Sequence, residues 1–294
     1  MKLALAPIPF FWSADVVRDF YDEVAQTEVD IVYLGETVCY KRRGLRLAEW
    51  MEIGDQLVAR GKEVVLSSLV LVDGEAELKA TRRLCANGRF PIEANDMSAV
   101  TLSQGTPFIA GATLNLYNED ALAILADVGA VRFVAPLELS GEALATLRVA
   151  GPTDIRCEAL AFGRPALAYS ARCFTARHAD RGKDACEWVC EQQPEGLLVK
   201  TQEDASFLTI NGLQVHAAYP LNYVTEIEAM RAAGIDILRI TPQSQGTKVI
   251  IDAFRGVLDH RYSVPEAQAR LAAFTQGQAG NGYWRGIAGQ AYVP

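Results

Sequence analysis

Three cysteines, Cys173, Cys186 and Cys190, fall within eighteen residues of one another in YSARCFTARHADRGKDACEWVCEQ, and a fourth, Cys39, follows an apolar run far upstream in IVYLGETVCYKRR. Four thiols from two distant stretches can converge on one metal centre, because thiolate sulfur ligates zinc and iron. Cys186 and Cys190 are four apart, and on a helix that spacing sets both sulfurs on one face. Four thiolates suit tetrahedral zinc or a 4Fe-4S cluster. Zinc sites are usually built from two tight CxxC-like knuckles; here there is one loose pair, and a scattered set over an enzyme rim fits a cluster better. Arg164, Arg172, Arg177, Arg181 and Lys183 crowd the same stretch, where they would offset the charge of ligated thiolates and favour the ionised thiols. The blander alternative is that a free cysteine packs as a small hydrophobe. That alternative suits Cys85, late in a helical pattern, and Cys157, inside a strand pattern.

The other chemistries are poorly supported. The chain has three histidines, His178, His216 and His260, and lacks HExxH, GxSxG, a P-loop and GxGxxG after an early strand, so a zinc protease, a serine hydrolase, a nucleotide triphosphatase and a dinucleotide-binding fold all lack their motifs. His216 reads as structural. Glu138 and Glu158 are candidates for acid–base work, set against the blander role of a carboxylate paired with an arginine. A net charge of -8 and a pI near 5.1 argue against a nucleic-acid partner, which calls for a basic surface. No window of eighteen uninterrupted apolar residues predicts a transmembrane helix. The opening LALAPIPFFW is broken by proline and shows no clear cleavage site. A cytoplasmic protein is expected, and in a reducing cytosol six cysteines point to metal or redox chemistry more than to disulfides.

The elements that must position these residues follow from periodicity. Short apolar runs at Lys2–Ala6, Ile31–Leu34, Glu63–Leu69, Phe90–Glu93, Phe108–Ala110, Arg132–Ala135, Asp154–Leu160 and Ile235–Ile240 predict strands. Amphipathic stretches at Ser13–Ala25, Leu47–Arg60, Gly74–Asn87, Glu119–Val128, Ser140–Leu147 and Val224–Ala233 predict helices. Eight alternations predict a single α/β domain over 1–294, a (β/α)8 TIM-like barrel. The alternation fails over about 163–214, a cysteine-rich insertion after a late strand, and a tail from about 265 looks helical and then glycine-rich. Within the insertion, Ser206–Ile210 and Leu213–Ala217 flank Asn211-Gly212 and predict a hairpin with a type I′ turn. Chemistry in such barrels gathers at the carboxyl ends of the strands. Glu36, Asn95, Asp96, Asn115, Asn118, Glu138 and Glu158 are expected there, with Cys39 and the insertion on the same rim.

The stretch EALAFGRPALAYSARCFTARHADRGKDACEWVC, Glu158 to Cys190, resembles the signature of the collagenase-like peptidase family, E-x-F-x-HG-x-MC-x-SYSGRC followed by Asn-Arg-Gly and further cysteines. Glu158, Gly163, Tyr169, Ser170, Arg172, Cys173, Arg181 and Gly182 fall in register. Asn115 to Ser140 also looks like the family's barrel region. The family's His and first Cys become Phe162 and Ala166 here, and the resemblance makes Cys39 the substitute ligand. With that substitution the chain is similar to the family branch that serves oxygen-independent ubiquinone biosynthesis. The resemblance implies a 4Fe-4S cluster on Cys39, Cys173, Cys186 and Cys190, and a heterodimer with a homologous, UbiU-like subunit. It implies hydroxylation of a prenylated phenolic quinone precursor without dioxygen, with prephenate as the oxygen donor. Glu138, Glu158, Tyr169, Arg172 and Arg181 are then the candidates for catalysis. Two alternatives stand beside it: a non-catalytic, cluster-bearing scaffold subunit, and, more weakly, a metal-dependent peptidase.

Overall fold

A computed structural model describes residues 1–42, 44–275 and 279–293. Arg43, three positions of the tail and Pro294 lie outside the described residues. In chain order the first half contains β1 (Lys2–Leu5), α1 (Ala14–Val24), β2 (Ile31–Leu34), α2 (Leu47–Ala59), β3 (Glu63–Ser67), α3 (Glu75–Cys85), β4 (Ile92–Ala94), α4 (Met97–Leu102), β5 (Phe108–Ala110) and α5 (Glu119–Asp127). There follow β6 (Ala130–Val134), α6 (Gly141–Ala150), β7 (Arg156–Gly163), β8 (Ala166–Tyr169), α7 (Phe174–His178), β9 (Leu197–Lys200), β10 (Ser206–Asn211) and β11 (Gln214–Ala217). The chain ends through β12 (Leu221–Asn222), α8 (Ile227–Ala232), β13 (Ile237–Ile240), α9 (Thr247–Leu258) and α10 (Val264–Leu271).

All eight expected barrel strands form. They pair parallel in the order β7-β13-β1-β2-β3-β4-β5-β6, and β6 pairs with β7 to close the ring. This is the expected (β/α)8 barrel. The insertion is more ordered than its weak periodicity implies: β8-β11-β10-β9 make a four-stranded antiparallel sheet of their own. The hairpin forms, but one residue out of the expected frame. Asn211 pairs with Gln214, so the two-residue loop is Gly212-Leu213, with glycine at φ 70 in the first central position, as in a type II′ turn. Asn211 is drawn into the strand because its side chain is spent on hydrogen bonds elsewhere. Helix α9, between β13 and the tail, was not anticipated. Among the described residues, no helix is long and apolar enough to cross a membrane.

Strand alternation sorts the barrel into two layers. Leu3, Leu5, Val32, Leu34, Val64, Leu66, Phe108, Phe133 and Leu238 pack outward beneath the helices. Ala4, Ile31, Tyr33, Val65, Ile109, Val134 and Ile237 form a separate interior cluster. The inward positions that are not apolar carry charge. Arg239 Nη1 lies 2.7 Å from Glu158 Oε1 and its Nη2 lies 2.8 Å from Glu93 Oε1. The Tyr33 hydroxyl donates to Glu158 Oε2 at 2.5 Å, and Ser67 Oγ donates to Glu93 at 2.6 Å. Arg132 donates to Tyr33 Oη at 3.0 Å and pairs with Glu63 at 2.5 Å. The Arg239 guanidinium also lies over the Tyr33 ring, 4.3 Å from its centre.

Glu158 was expected at a strand end. Strand β7 instead runs on to Gly163, so Glu158 sits in mid-strand and is fully buried. Burial pushes its carboxyl up, and the Arg239 and Arg132 guanidiniums pull it partly back. At Gly163 (φ 129) the chain turns so close to Thr241 that a Cβ would come within 2.5 Å of the threonine Cβ, a turn that only glycine makes without strain.

Arg239 is the shared counter-charge for two buried carboxylates. Replacing it as Arg239→Met should cost about 3–5 kcal/mol in urea unfolding near neutral pH, the cost of stranding a buried charge. The loss should shrink as the pH is lowered and the stranded Glu158 takes up a proton.

Candidate functional site

The rim loop after β2 is built around two side chains. Glu36 turns back and accepts from the backbone N–H groups of Val38 (2.8 Å) and Cys39 (3.0 Å), which fixes the loop that carries the Cys39 thiol. Arg42, whose side chain is 1% exposed, lies 3.6 Å from Glu36. It donates to the carbonyls of Pro9 (3.3 Å) and Asn211 (3.2 Å), and also to the Asn211 side-chain oxygen. Asn211 in turn donates to the carbonyls of Cys190 (3.1 Å) and Gln193 (3.0 Å). One asparagine therefore joins the hairpin, the Cys190 segment and the Cys39 loop.

Cys173 and Cys190 lie near the Cys39 loop. Cys173 precedes α7, and its sulfur accepts from the Ala176 N–H at 3.4 Å. Cys186 and Cys190 do not share a helix face. Each lies at or in a short 3-10 turn (Lys183–Ala185 and Val189–Gln192), and between them Glu187 (φ 47) and Trp188 (φ 52) are left-handed. Two such residues in succession end any helix. They let the chain fold back, and the Trp188 indole donates to the Lys41 carbonyl at 2.6 Å while Lys41 Nζ donates to the Lys183 carbonyl at 3.1 Å. Cys186 is thereby held on a segment clipped to the Cys39 loop.

Burial pushes the Cys39 and Cys190 thiols up, and each also feels the field of Cys173. Arg42 draws both back toward ionisation. Among the described residues, no three His, Cys, Asp or Glu side chains are drawn up around one shared ion. A four-iron cluster asks for something different, a ring of thiols around a space, one sulfur to each iron. Donor type, the nearness of Cys39 and Cys190 to Cys173, the N–H directed at Cys173 and the buried cation are of the kind such a group uses. Cys157 is buried in the core beneath the helices, and Cys85 packs against that core, its sulfur 3.7 Å from Ser103 Oγ.

The counter-charge is only in part where the sequence placed it: of the basic residues of the insertion, Lys183 feels the field of Cys39. Arg172 and Arg177 are exposed, Arg181 is exposed and pairs with Glu187, and Lys183 pairs with Asp73 at 2.8 Å. Arg164 points to the barrel mouth, donating to the Glu195 carbonyl at 2.9 Å. The buried cation beside the thiols is Arg42, three residues from Cys39. A lysine-arginine run after a strand carries no signal of which side chain turns inward.

A cavity of about 490 Å³ opens at the carboxyl ends of the strands, roofed by β8 and β11. That size suits a small-molecule site. Pro7, Val70, Leu71, Val134, Leu137 and Leu160 supply apolar wall, and Glu93, Asn95, Tyr169, Gln214, His216 and Arg239 supply the polar floor and side. Burial pushes the Tyr169 hydroxyl up to about 12, with Glu93 adding to the rise. Glu138 is an exposed lip residue that accepts from Tyr117 at 3.1 Å. Asp96 and Asn118, expected among the rim groups, are helix caps, accepting from Ser98 and Ala121. Of the candidate catalytic residues, Glu138 and Tyr169 line the cavity, Glu158 lies beneath it bonded to Arg239, and Arg172 and Arg181 are exposed on the insertion. His216, read as structural, lines it too. The cavity and the thiols share a wall, where the Pro9 carbonyl accepts from Arg42 on one side and Gln214 on the other.

The sequence model of peptidase family U32 matches residues 19–291. The structure of a U32 peptidase is similar over 83% of this chain and 93% of its own, at 12% identity and a TM-score of 0.46. The N-acetylneuraminate lyase (sialic acid aldolase) of Aliivibrio salmonicida is similar over 93% of this chain and 79% of its own, at 8% identity and a TM-score of 0.50. The lyase likeness is one of barrel fold.

Two predictions follow from these contacts. Asn211→Ala removes one of the acceptors around the buried Arg42 guanidinium and frees two carbonyls. It should cost about 3 kcal/mol in chemical denaturation and speed alkylation of Cys190 by iodoacetamide, read by mass spectrometry. Burial lowers His216 from 6.5 to about 4, so the folded ring refuses a proton that the unfolded chain accepts. Stability should therefore fall as pH drops from 6.5 toward 4, by about 3 kcal/mol from this residue. His216→Phe should remove that part of the acid slope in urea unfolding at pH 7 and 4.5.

Proposed function

The chain belongs to peptidase family U32, and from that membership and its four rim thiols we propose that it is a UbiV-like, cluster-bearing subunit of an oxygen-independent ring hydroxylase. It acts in this role with a homologous, UbiU-like partner on a prenylated phenolic quinone precursor, with prephenate as oxygen donor. The observation that carries the proposal is the meeting of Cys39 with the Cys173–Cys190 segment around a buried arginine. Cys39, Cys173, Cys186 and Cys190 would hold a 4Fe-4S cluster, which supplies one-electron redox chemistry when bound. Arg42 balances part of the thiolate charge, and the Ala176 N–H tunes the Cys173 sulfur. The barrel-mouth cavity binds the ring, its apolar walls excluding water. Tyr169 keeps its proton there at neutral pH and serves as a hydrogen-bond donor, oriented between Glu93 and Arg239. Ligation needs deprotonated thiols, so loading weakens as pH falls.

One observation favours a second reading, a cluster that is structural. The thiols lie where Arg42, Asn211 and Trp188 fasten the insertion to the rim loop, and the wall containing Pro9 stands between them and the cavity. In that case the partner holds the catalytic site, and activity survives changes of Glu138 that leave cluster and dimer intact.

The deciding experiment is anaerobic co-purification with the partner and metal analysis. About four irons and four sulfides per chain are expected, retained in Cys85→Ala and lost in Cys39→Ala. A stably folded, iron-free protein that still supports ring hydroxylation would overturn the proposal.

A further inference from the structure

His216 takes no part in the role just proposed, yet it is 2% exposed and lines the barrel-mouth cavity. Its Nδ1 lies 3.3 Å from the Arg164 carbonyl oxygen. A carbonyl only accepts, so Nδ1 carries the proton of that bond. Burial keeps the ring neutral, with Arg164 and Arg42 nearby adding to the effect. Nε2 therefore presents a lone pair, and it has no hydrogen-bond partner among the described residues. A buried acceptor without a donor is destabilising until something donates to it. The ring is also fixed in place, packed against Phe10 at 5.4 Å between ring centres.

The rest of the lining narrows what can satisfy that atom. Both arginines of the cavity are engaged: Arg239 with Glu93 and Glu158, Arg164 with the Glu195 carbonyl and, at 3.6 Å, its carboxylate. Glu93 and the lip residue Glu138 disfavour an anion. The walls are apolar. A ligand that fits is uncharged, largely apolar and offers one hydrogen-bond donor at the depth of His216. We infer that His216 is a specificity residue whose Nε2 accepts the hydroxyl hydrogen of a phenolic ligand in the barrel mouth, selecting it over an ether of the same shape. The choice of a ring substrate rests on the function proposed for the chain; the hydrogen bond itself requires no cluster.

The probes are 2-prenylphenol and its methyl ether, titrated into the full-length purified protein and followed by ligand-observed NMR. The phenol should bind about tenfold more tightly than the ether, the effect of one hydrogen bond. His216→Phe should bind the two alike, and His216→Gln, which restores an acceptor, should recover part of the preference. Equal binding of phenol and ether by the unaltered protein overturns the inference, whether or not a variant folds. So does a preference that survives in His216→Phe. Iron analysis of the same preparation separates the outcomes: a cluster-loaded protein blind to the hydroxyl sinks this inference alone, and an iron-free protein that prefers the phenol sinks the cluster alone.

Discussion

Arg42 holds a full positive charge at a place water does not reach, and a buried charge must be surrounded by compensating groups or the fold gives way. The groups that surround it come from three parts of the chain. Glu36 belongs to the same rim loop, Pro9 to the segment after β1, and Asn211 to the hairpin of the insertion. Satisfying one guanidinium therefore fastens an otherwise separate four-stranded sheet to the barrel mouth. Once the sheet is fastened, Cys190 is brought beside Cys39, the Cys173 turn falls next to both, and β8 and β11 roof the cavity.

A second buried charge system lies below the first and does a different job. Arg239 with Glu93 and Glu158, and Arg132 with Glu63, replace hydrocarbon in the middle of the barrel. Such pairs add little net stability over a well-packed apolar core, so their value here is positional. They hold a polar floor under an apolar-walled cavity. The two systems meet through the wall at Pro9 and Gln214, which separates thiol chemistry from the cavity while tying both to one backbone carbonyl.

Much of the fold was legible because it is written in short-range periods. Ile31–Leu34 and Phe108–Ala110 were placed to the residue, and the other barrel strands within a few positions, since a strand buried on both faces reads as a short continuous apolar run. The insertion was less legible. β8 and β9 are short, half-exposed strands, and β8 finds its partner β11 only far along the chain, so neither shows a clear apolar period of its own. Cys186 and Cys190 do not share a helix face, because spacing cannot report a left-handed turn at Glu187 and Trp188. Glu158 was assigned to a rim because the extent of β7 depends on its pairing with β13 and β12, not on its own residues.

From residue order alone came the parallel barrel, the interruption after its seventh strand, and the placing of the Cys39 loop and the cysteine-rich insertion on one rim, for barrel connectivity sends every strand's carboxyl end to the same face. Tertiary structure decided which of many charged side chains is buried. It chose Arg42 over the arginines of the insertion, set Glu158 at mid-barrel, and left His216 Nε2 buried without a partner among the described residues. Those outcomes depend on hydrogen bonds and strand pairings between segments well separated in the chain, and no local pattern carries them.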